Sequence, residues 1–114
     1  MVEAEVTICG EDLNVCIGGG GGYHIGASAL AIPRKSLANE GNNSASVSVL
    51  CVTGHKEDEL ARKAALELAV AFQCKVNVTV GMHIDRATQK DIQTLSSNYE
   101  QVLDEIKKKI VSLR

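Results

Sequence analysis

The first part of the chain alternates between apolar and polar residues, the pattern of strands that bury one face. Residues 3–9 and 13–17 alternate on either side of the turn signal GED at 10–12, which predicts an antiparallel hairpin. The apolar run IGASALAI at 25–32 predicts a third strand, which we expect to end at Pro33. The chain therefore begins with sheet structure.

The rest of the chain holds two more strand patterns and two helical ones. SASVSVLCV at 44–52 alternates serine with apolar residues, and CKVNVTV at 74–80 places three valines on one face. Between them, residues 55–72 carry apolar side chains at helical spacing, with acidic residues in the first turn, where the helix dipole favours them. A last helix is predicted over about 88–113, because its apolar residues recur every three or four positions.

These elements predict the order β-β-β-β-α-β-α and therefore an α+β fold. We expect two layers, a mostly antiparallel sheet of about five strands with two helices on one face. The length of 114 residues suits one domain spanning 1–114.

The last helix is long for a chain of this size. About 26 residues at 1.5 Å each give ~39 Å, whereas a compact chain of this length has a diameter of roughly 34 Å. The apolar seam of the helix continues to Ile110 and Leu113, where little of the sheet remains to cover it. We therefore expect a homodimer that buries either the helix end or a sheet edge, and the alternative is a helix bent over its own sheet.

Composition narrows the function classes. The formal net charge is −2, so no basic surface is expected for a nucleic acid. No apolar stretch reaches the ~18 residues of a membrane span, and the first residues lack the features of a signal peptide. The four cysteines lie in apolar runs without C-x-x-C spacing, which predicts buried free thiols and a cytoplasmic location.

A run of glycines, GGGGGYHIG at 18–26, interrupts the strand pattern. Consecutive glycines lose more backbone freedom on folding than any other residues, so ordering them is costly. Their backbone N–H groups can form a concave anion-binding nest, or the run can be the flexible tip of a hairpin.

The three histidines all lie where a strand gives way to a loop or helix. Because sites are commonly built at such junctions, we expect His24, His55 and His83 to line one pocket. With Asp85 they offer a metal-binding alternative, although no H-x-H or H-x-x-x-H pair supports it. A third alternative gives each histidine an unrelated structural role. No serine or cysteine partner can be assigned to them, so a hydrolase triad is not predicted.

Phosphate is the ligand that the loops favour. TGHKED at 53–58 places the backbone N–H groups of Gly54 and His55 at a helix N-terminus, where anions bind. Lys56 or Arg34 would supply positive charge. The pattern is neither a P-loop nor a dinucleotide-binding G-x-G-x-x-G.

Three segments of the chain resemble a known family: GGYHIGASALAIPR, SVSVLCVTGHKEDELAR and VTVGMHID. Together they are similar to the LpdD-like prenylated-flavin chaperones, also known as the D subunit of gallate or hydroxyarylic-acid decarboxylases. The motifs fall on residues 19–27, 54–58 and 81–85, and the resemblance covers roughly residues 10–92. It implies a non-catalytic accessory protein that binds prenylated FMN and assists maturation of a UbiD-type decarboxylase, with a fold similar to proteasome assembly chaperones.

The resemblance also implies where the flavin binds. Gly21 and Gly22 would let the backbone approach a phosphate or a flat ring, Tyr23 would stack on the isoalloxazine edge, and His24 would face the same pocket. The expected residues for binding prenylated FMN, or FMN, are Gly21, Gly22, Tyr23, His24, Arg34, Gly54, His55, Lys56, His83 and Asp85. Two alternatives stay open: a small metal- or cysteine-dependent enzyme acting on a phosphorylated ligand, and an interaction subunit without a ligand.

Overall fold

A computed structural model describes the chain over residues 2–19, 23–35, 37, 43–52, 57–82 and 89–113, with backbone alone for 89–96. The element order confirms the predicted β-β-β-β-α-β-α. The elements are β1 (Val2–Cys9), β2 (Asp12–Gly19), β3 (Ala27–Lys35), β4 (Asn43–Cys51), α1 (Asp58–Phe72), β5 (Val76–Met82) and α2 (Gln89–Leu113).

The five strands form one mixed, mostly antiparallel sheet in the order β1-β2-β5-β3-β4. β1 and β2 are a hairpin, and Gly10 in its turn adopts a φ of 64°, which favours glycine at the first position of a two-residue turn. β3 and β4 form a second antiparallel pair. β5 lies between the two pairs, parallel to β2 and antiparallel to β3.

One face of the sheet forms the core, and both helices pack on it. The strand registers place the apolar residues of the three central strands side by side, and all are buried: Leu13, Val15, Ile17, Ala27, Ala29, Ala31, Val76, Val78 and Val80. α1 contacts β3, β4 and β5 through a surface rich in alanine, and α2 contacts β1. Small side chains on both β3 and α1 let the helix lie close to the sheet. The predicted α+β fold with helices on one face is confirmed.

The two helices run side by side in the same direction. The Tyr99 hydroxyl of α2 donates a 2.6 Å hydrogen bond to the Leu60 carbonyl oxygen of α1. Lys63 pairs with Glu100, and further along Lys107 lies 3.6 Å from Glu67. Burial, and secondarily the Glu67 carboxylate, raises the pKa of Tyr99, so this hydroxyl stays protonated and donates throughout the physiological pH range.

The predicted ends of β2 and β3 are wrong, and pairing with distant strands explains both. β3 continues through Pro33 to Lys35. Pro33 pairs with Ala45 of β4 but lies beyond Ala31, the last β3 residue paired with β5, so a neighbour is present on one side only. β2 likewise continues to Gly19, because pairing with β5 extends to Met82. The first two glycines of the run are therefore strand residues.

The predicted burial of the cysteines is also wrong for three of them. None of the four, all within the described residues, forms a disulfide, but Cys9, Cys16 and Cys51 are exposed and Cys74 is buried. Cys16 alternates with the buried residues of β2 and so lies on the open face of the sheet. The other two exposed cysteines end β1 and β4, the strands at the sheet edges.

α2 confirms the long last helix, with 25 residues. At 1.5 Å per residue it measures about 37 Å, and the longest dimension of the molecule is 44 Å. Ile110 is fully buried within the same chain, whereas Leu113 is 54% exposed. Of the helices in the described part of the chain, none is long and apolar enough to span a membrane.

Candidate functional site

The three motif-bearing segments all leave the sheet at one end, which we call the motif end. In the strand registers Gly19 lies beside Met82, and Ala27 lies beside both Val80 and Cys51. The C-terminal ends of β2, β4 and β5 therefore lie next to the beginning of β3. From these strand ends the chain enters 20–22, 53–56 and 83–88, which lie outside the described residues.

α1 also begins at the motif end. Glu57 is its N-cap residue, and the Ala61 N–H donates a 2.9 Å bond to the Glu57 carbonyl oxygen. The Glu57 side chain makes no capping hydrogen bond to the first turn. The positive end of the helix dipole is therefore directed toward the same end of the sheet as the strand termini.

After the glycine run, the chain crosses the open face of the sheet on two neighbouring glycines. Gly18 and Gly81 are register partners on β2 and β5. A Cβ at Gly18 would lie 2.0 Å from Cδ1 of Tyr23, and a Cβ at Gly81 would lie 1.7 Å from the carbonyl oxygen of His24. Glycine therefore suits both positions, because a side chain at either one would overlap the crossing segment.

Tyr23 is held flat against this glycine path. Its hydroxyl donates a 2.7 Å hydrogen bond to Oε2 of Glu3, and the ring packs on Gly18. That hydrogen bond raises the pKa of Tyr23 to about 12, so the hydroxyl remains a donor. The side chain is 56% exposed. The motif end thus presents a fixed aromatic ring at the surface.

His24 pairs with a buried carboxylate. Its Nε2 lies 3.4 Å from Oε1 of Glu57, and the side chains are 31% and 8% exposed, respectively. Gly26 packs against the same carboxylate, where a Cβ would lie 2.6 Å from Cδ of Glu57. Burying a carboxylate is costly unless it is paired, and a protonated imidazole at this distance supplies the opposite charge.

Sequence reasoning missed Glu57 as a site residue. We interpreted the acidic cluster after His55 only as favourable to the helix dipole. The sequence feature that indicates Glu57 is its place in the TGHKED motif, at the helix start and two residues after His55. Which acid of the cluster is buried depends on where His24 and Gly26 lie, and no local pattern reveals that.

The remaining predicted site residues fall into two groups. Arg34 lies on β3 seven residues beyond Ala27, about 23 Å along the strand from the motif end. Its Nε donates a 2.9 Å bond to Oγ of Ser46, so the structure does not bring it together with His24. Outside the described residues lie Gly21, Gly22, Gly54, His55, Lys56, His83 and Asp85.

A groove beside Tyr23 has the wrong charge for a phosphate. It runs between β1 and α2 with a volume of about 490 Å³. Glu3, Glu5 and Glu105 line it against a single positive side chain, Lys109. Within the described ranges, no three His, Cys, Asp or Glu side chains are grouped as a metal site would require.

The glycine path generates a prediction about stability. Gly81→Ala should destabilise the fold by about 1–3 kcal/mol, because the new methyl group meets the backbone of His24. Gly18→Ala should cost less, since the Tyr23 ring that it meets can rotate away. Urea denaturation of both variants measures the difference. Equal losses in the free energy of unfolding for the two variants would mean that the His24 backbone does not lie against Gly81.

Comparison with known proteins supports the resemblance carried by the motifs. Residues 1–111 match the family described as "Prenylated flavin chaperone LpdD-like domain". A comparison with curated proteins gives no match. The family match includes the last helix, which carries none of the quoted motifs. The chain therefore belongs to the LpdD-like prenylated flavin chaperone family.

Proposed function

We propose that this chain is an accessory protein that binds prenylated FMN, or FMN, at the motif end and assists maturation of a UbiD-type decarboxylase. Membership of the prenylated flavin chaperone family is the observation that carries the proposal. The registers that gather the ends of β2, β4 and β5 support the location, because the motifs at 19–27, 54–58 and 81–85 each begin at or just after one of these strand ends in the sequence. The four cysteines, all described, form no disulfide, which suits the predicted cytoplasmic location.

The described residues suit the chemistry of a flavin. The exposed Tyr23 ring and the 67% exposed Ile25 offer planar and apolar surface, and His24 between them offers a polar ring edge. Ligand sites commonly combine apolar walls with a few placed polar groups. Prenylated FMN supplies the decarboxylation chemistry in the partner enzyme, and this chain binds and orients the cofactor.

The phosphate would bind at the start of α1. Gly54 and His55 precede the N-cap residue Glu57 by three and two positions in the sequence, and backbone N–H groups at a helix start favour an anion. Lys56 would add positive charge. The acidic groove beside Tyr23 and the distant Arg34 are excluded from this role by their charge and position.

Glu57 would act as a positioning residue for His24. Its buried carboxylate lies next to Nε2, so a ligand contact from the imidazole falls to Nδ1 and the ring edge. A protonated imidazole would also offset the Glu57 charge, which otherwise opposes a phosphate at the same helix start. Gly21, Gly22, His83 and Asp85 belong to segments leaving the same end of the sheet and would complete the site.

The phosphate assignment predicts a ligand preference. The purified protein, incubated with prenylated FMN or FMN and freed of unbound ligand, should retain a flavin absorbance. Riboflavin should bind at least tenfold more weakly, because it lacks the phosphate that the helix start would hold. Equal affinities for FMN and riboflavin would contradict the phosphate seat, and metal analysis of the same sample tests the metal-dependent alternative.

The His24–Glu57 pair predicts coupled effects on binding. His24→Ala should weaken flavin binding by about 1–3 kcal/mol through loss of a polar contact. Glu57→Gln should weaken it less, and the double variant no more than His24→Ala alone, because Glu57 acts through His24. Flavin fluorescence titration gives the affinities, and imidazole ¹⁵N chemical shifts report changes in the environment of the His24 ring.

Glu59→Gln is the matched control, because Glu59 is an exposed acid in the same helical turn. It should leave both the affinity and the His24 chemical shifts unchanged. Additive losses in the double variant would mean that Glu57 contacts the ligand independently or only stabilises the fold.

The role in maturation predicts a difference in cofactor loading. A UbiD-type decarboxylase produced with this chain should carry a larger fraction of bound prenylated FMN than the same enzyme produced alone. The His24→Ala variant should lower that fraction toward the level without the chain. Unchanged loading in all three preparations would contradict the proposed function even if the chain binds flavin.

A further inference from the structure

The two edge strands of the sheet differ in charge. β1 carries Glu3 and Glu5, whereas the nine residues of β4, NSASVSVLC, include no charged side chain and no proline. Natural edge strands usually carry charges, prolines or bulges that prevent pairing with another sheet. Within the part of the chain that the structure describes, β4 pairs with β3 alone, so its other side offers unprotected backbone groups.

The apolar residues of β4 are less completely buried than those of the central strands. Val47 and Val49 face the core side but are only partly buried, and Leu50 on the open face is 79% exposed. α1 covers β4 from the core side. An additional strand beside β4 would therefore extend the sheet and cover the two valines at the rim of the core.

A second copy of β4 is the occupant that fits this edge. An uncharged strand pairs with itself antiparallel without opposing like charges, and identical surfaces close into a two-fold dimer. Pairing all nine residues places Val47 opposite the partner's Val47 and Ser46 opposite the partner's Ser48. This register keeps apolar residues on the core face and serines on the open face of the joined sheet.

Other modes of assembly are less suitable. Pairing β1 with β1 would bring two copies of Glu3 and Glu5 onto one face, and pairing β4 with β1 would be head-to-tail and would not give a two-fold dimer. The end of α2 is less suitable because Ile110 is already fully buried within its own chain.

We propose that the chain forms a homodimer in which β4 pairs antiparallel with β4 of a second copy, giving one continuous sheet. The length of α2 predicted an interface at either the helix end or a sheet edge, and this dimer uses the sheet edge. Cys51 would lie opposite the partner's Asn43, so the two motif ends would lie apart and each copy would hold its own site. This inference does not depend on flavin binding.

Charge substitutions on β4 test the proposed dimer. Light scattering of the unchanged protein at ~100 μM should give a mass of about 24 kDa, twice the 12.1 kDa of one chain. The variants S46K/S48K and S46E/S48E should each be monomeric, because like charges would face each other across the two-fold axis. Mixing the two variants should restore the dimer, since each lysine then opposes a glutamate.

S46A/S48A is the matched control. It also removes the exposed Arg34–Ser46 hydrogen bond, adds no charge and should remain dimeric. Circular dichroism should show that the charged variants keep the fold. A monomeric unchanged protein, a dimeric lysine variant or a mixture that stays monomeric would each overturn the proposal. Because the readout is mass, failure of flavin binding leaves the result unaffected.

Discussion

The position of β5 between β2 and β3 organises the whole sheet. Val76, Val78 and Val80 are fully buried there, paired on one side with β2 and on the other with β3. Because β5 is parallel to β2, both strands end side by side, and because it is antiparallel to β3, that strand begins at the same place. This arrangement joins two separate hairpins into one sheet and brings the strand ends that lead into all three motifs to one end.

The same pairing gives two other glycines a structural role. The sequence predicts that Gly21 and Gly22 let the backbone approach a ligand, and these two residues lie outside the described part of the chain. In the structure, Gly18 and Gly81 leave the space that Tyr23 and His24 occupy on the open face of the sheet. They allow the chain to cross the sheet there, because a Cβ at either position would overlap the crossing segment.

The candidate site was predictable in part. Tyr23 and His24 follow from the motif, and both lie at the motif end as expected. Arg34 was selected because it follows the predicted third strand, and the continuation of β3 through Pro33 carries it to the opposite end of the sheet. The sequence does not indicate Glu57 as a site residue, because its role depends on its burial beside His24. Charge and composition identify candidate groups, whereas distance and burial decide which of them act together.

Local sequence patterns were enough to predict the seven elements, the α+β class and the family, because alternation, helical spacing and short motifs are all local properties. Tertiary structure alone decided the strand order, since the pairing of Leu13 with Val76 joins residues far apart in the chain and no local preference encodes it. Tertiary structure also decided the burial of Glu57, the exposure of Cys16 and the continuation of β3 through Pro33. Each of these depends on which strand or side chain lies alongside, and that is known only after the sheet has assembled.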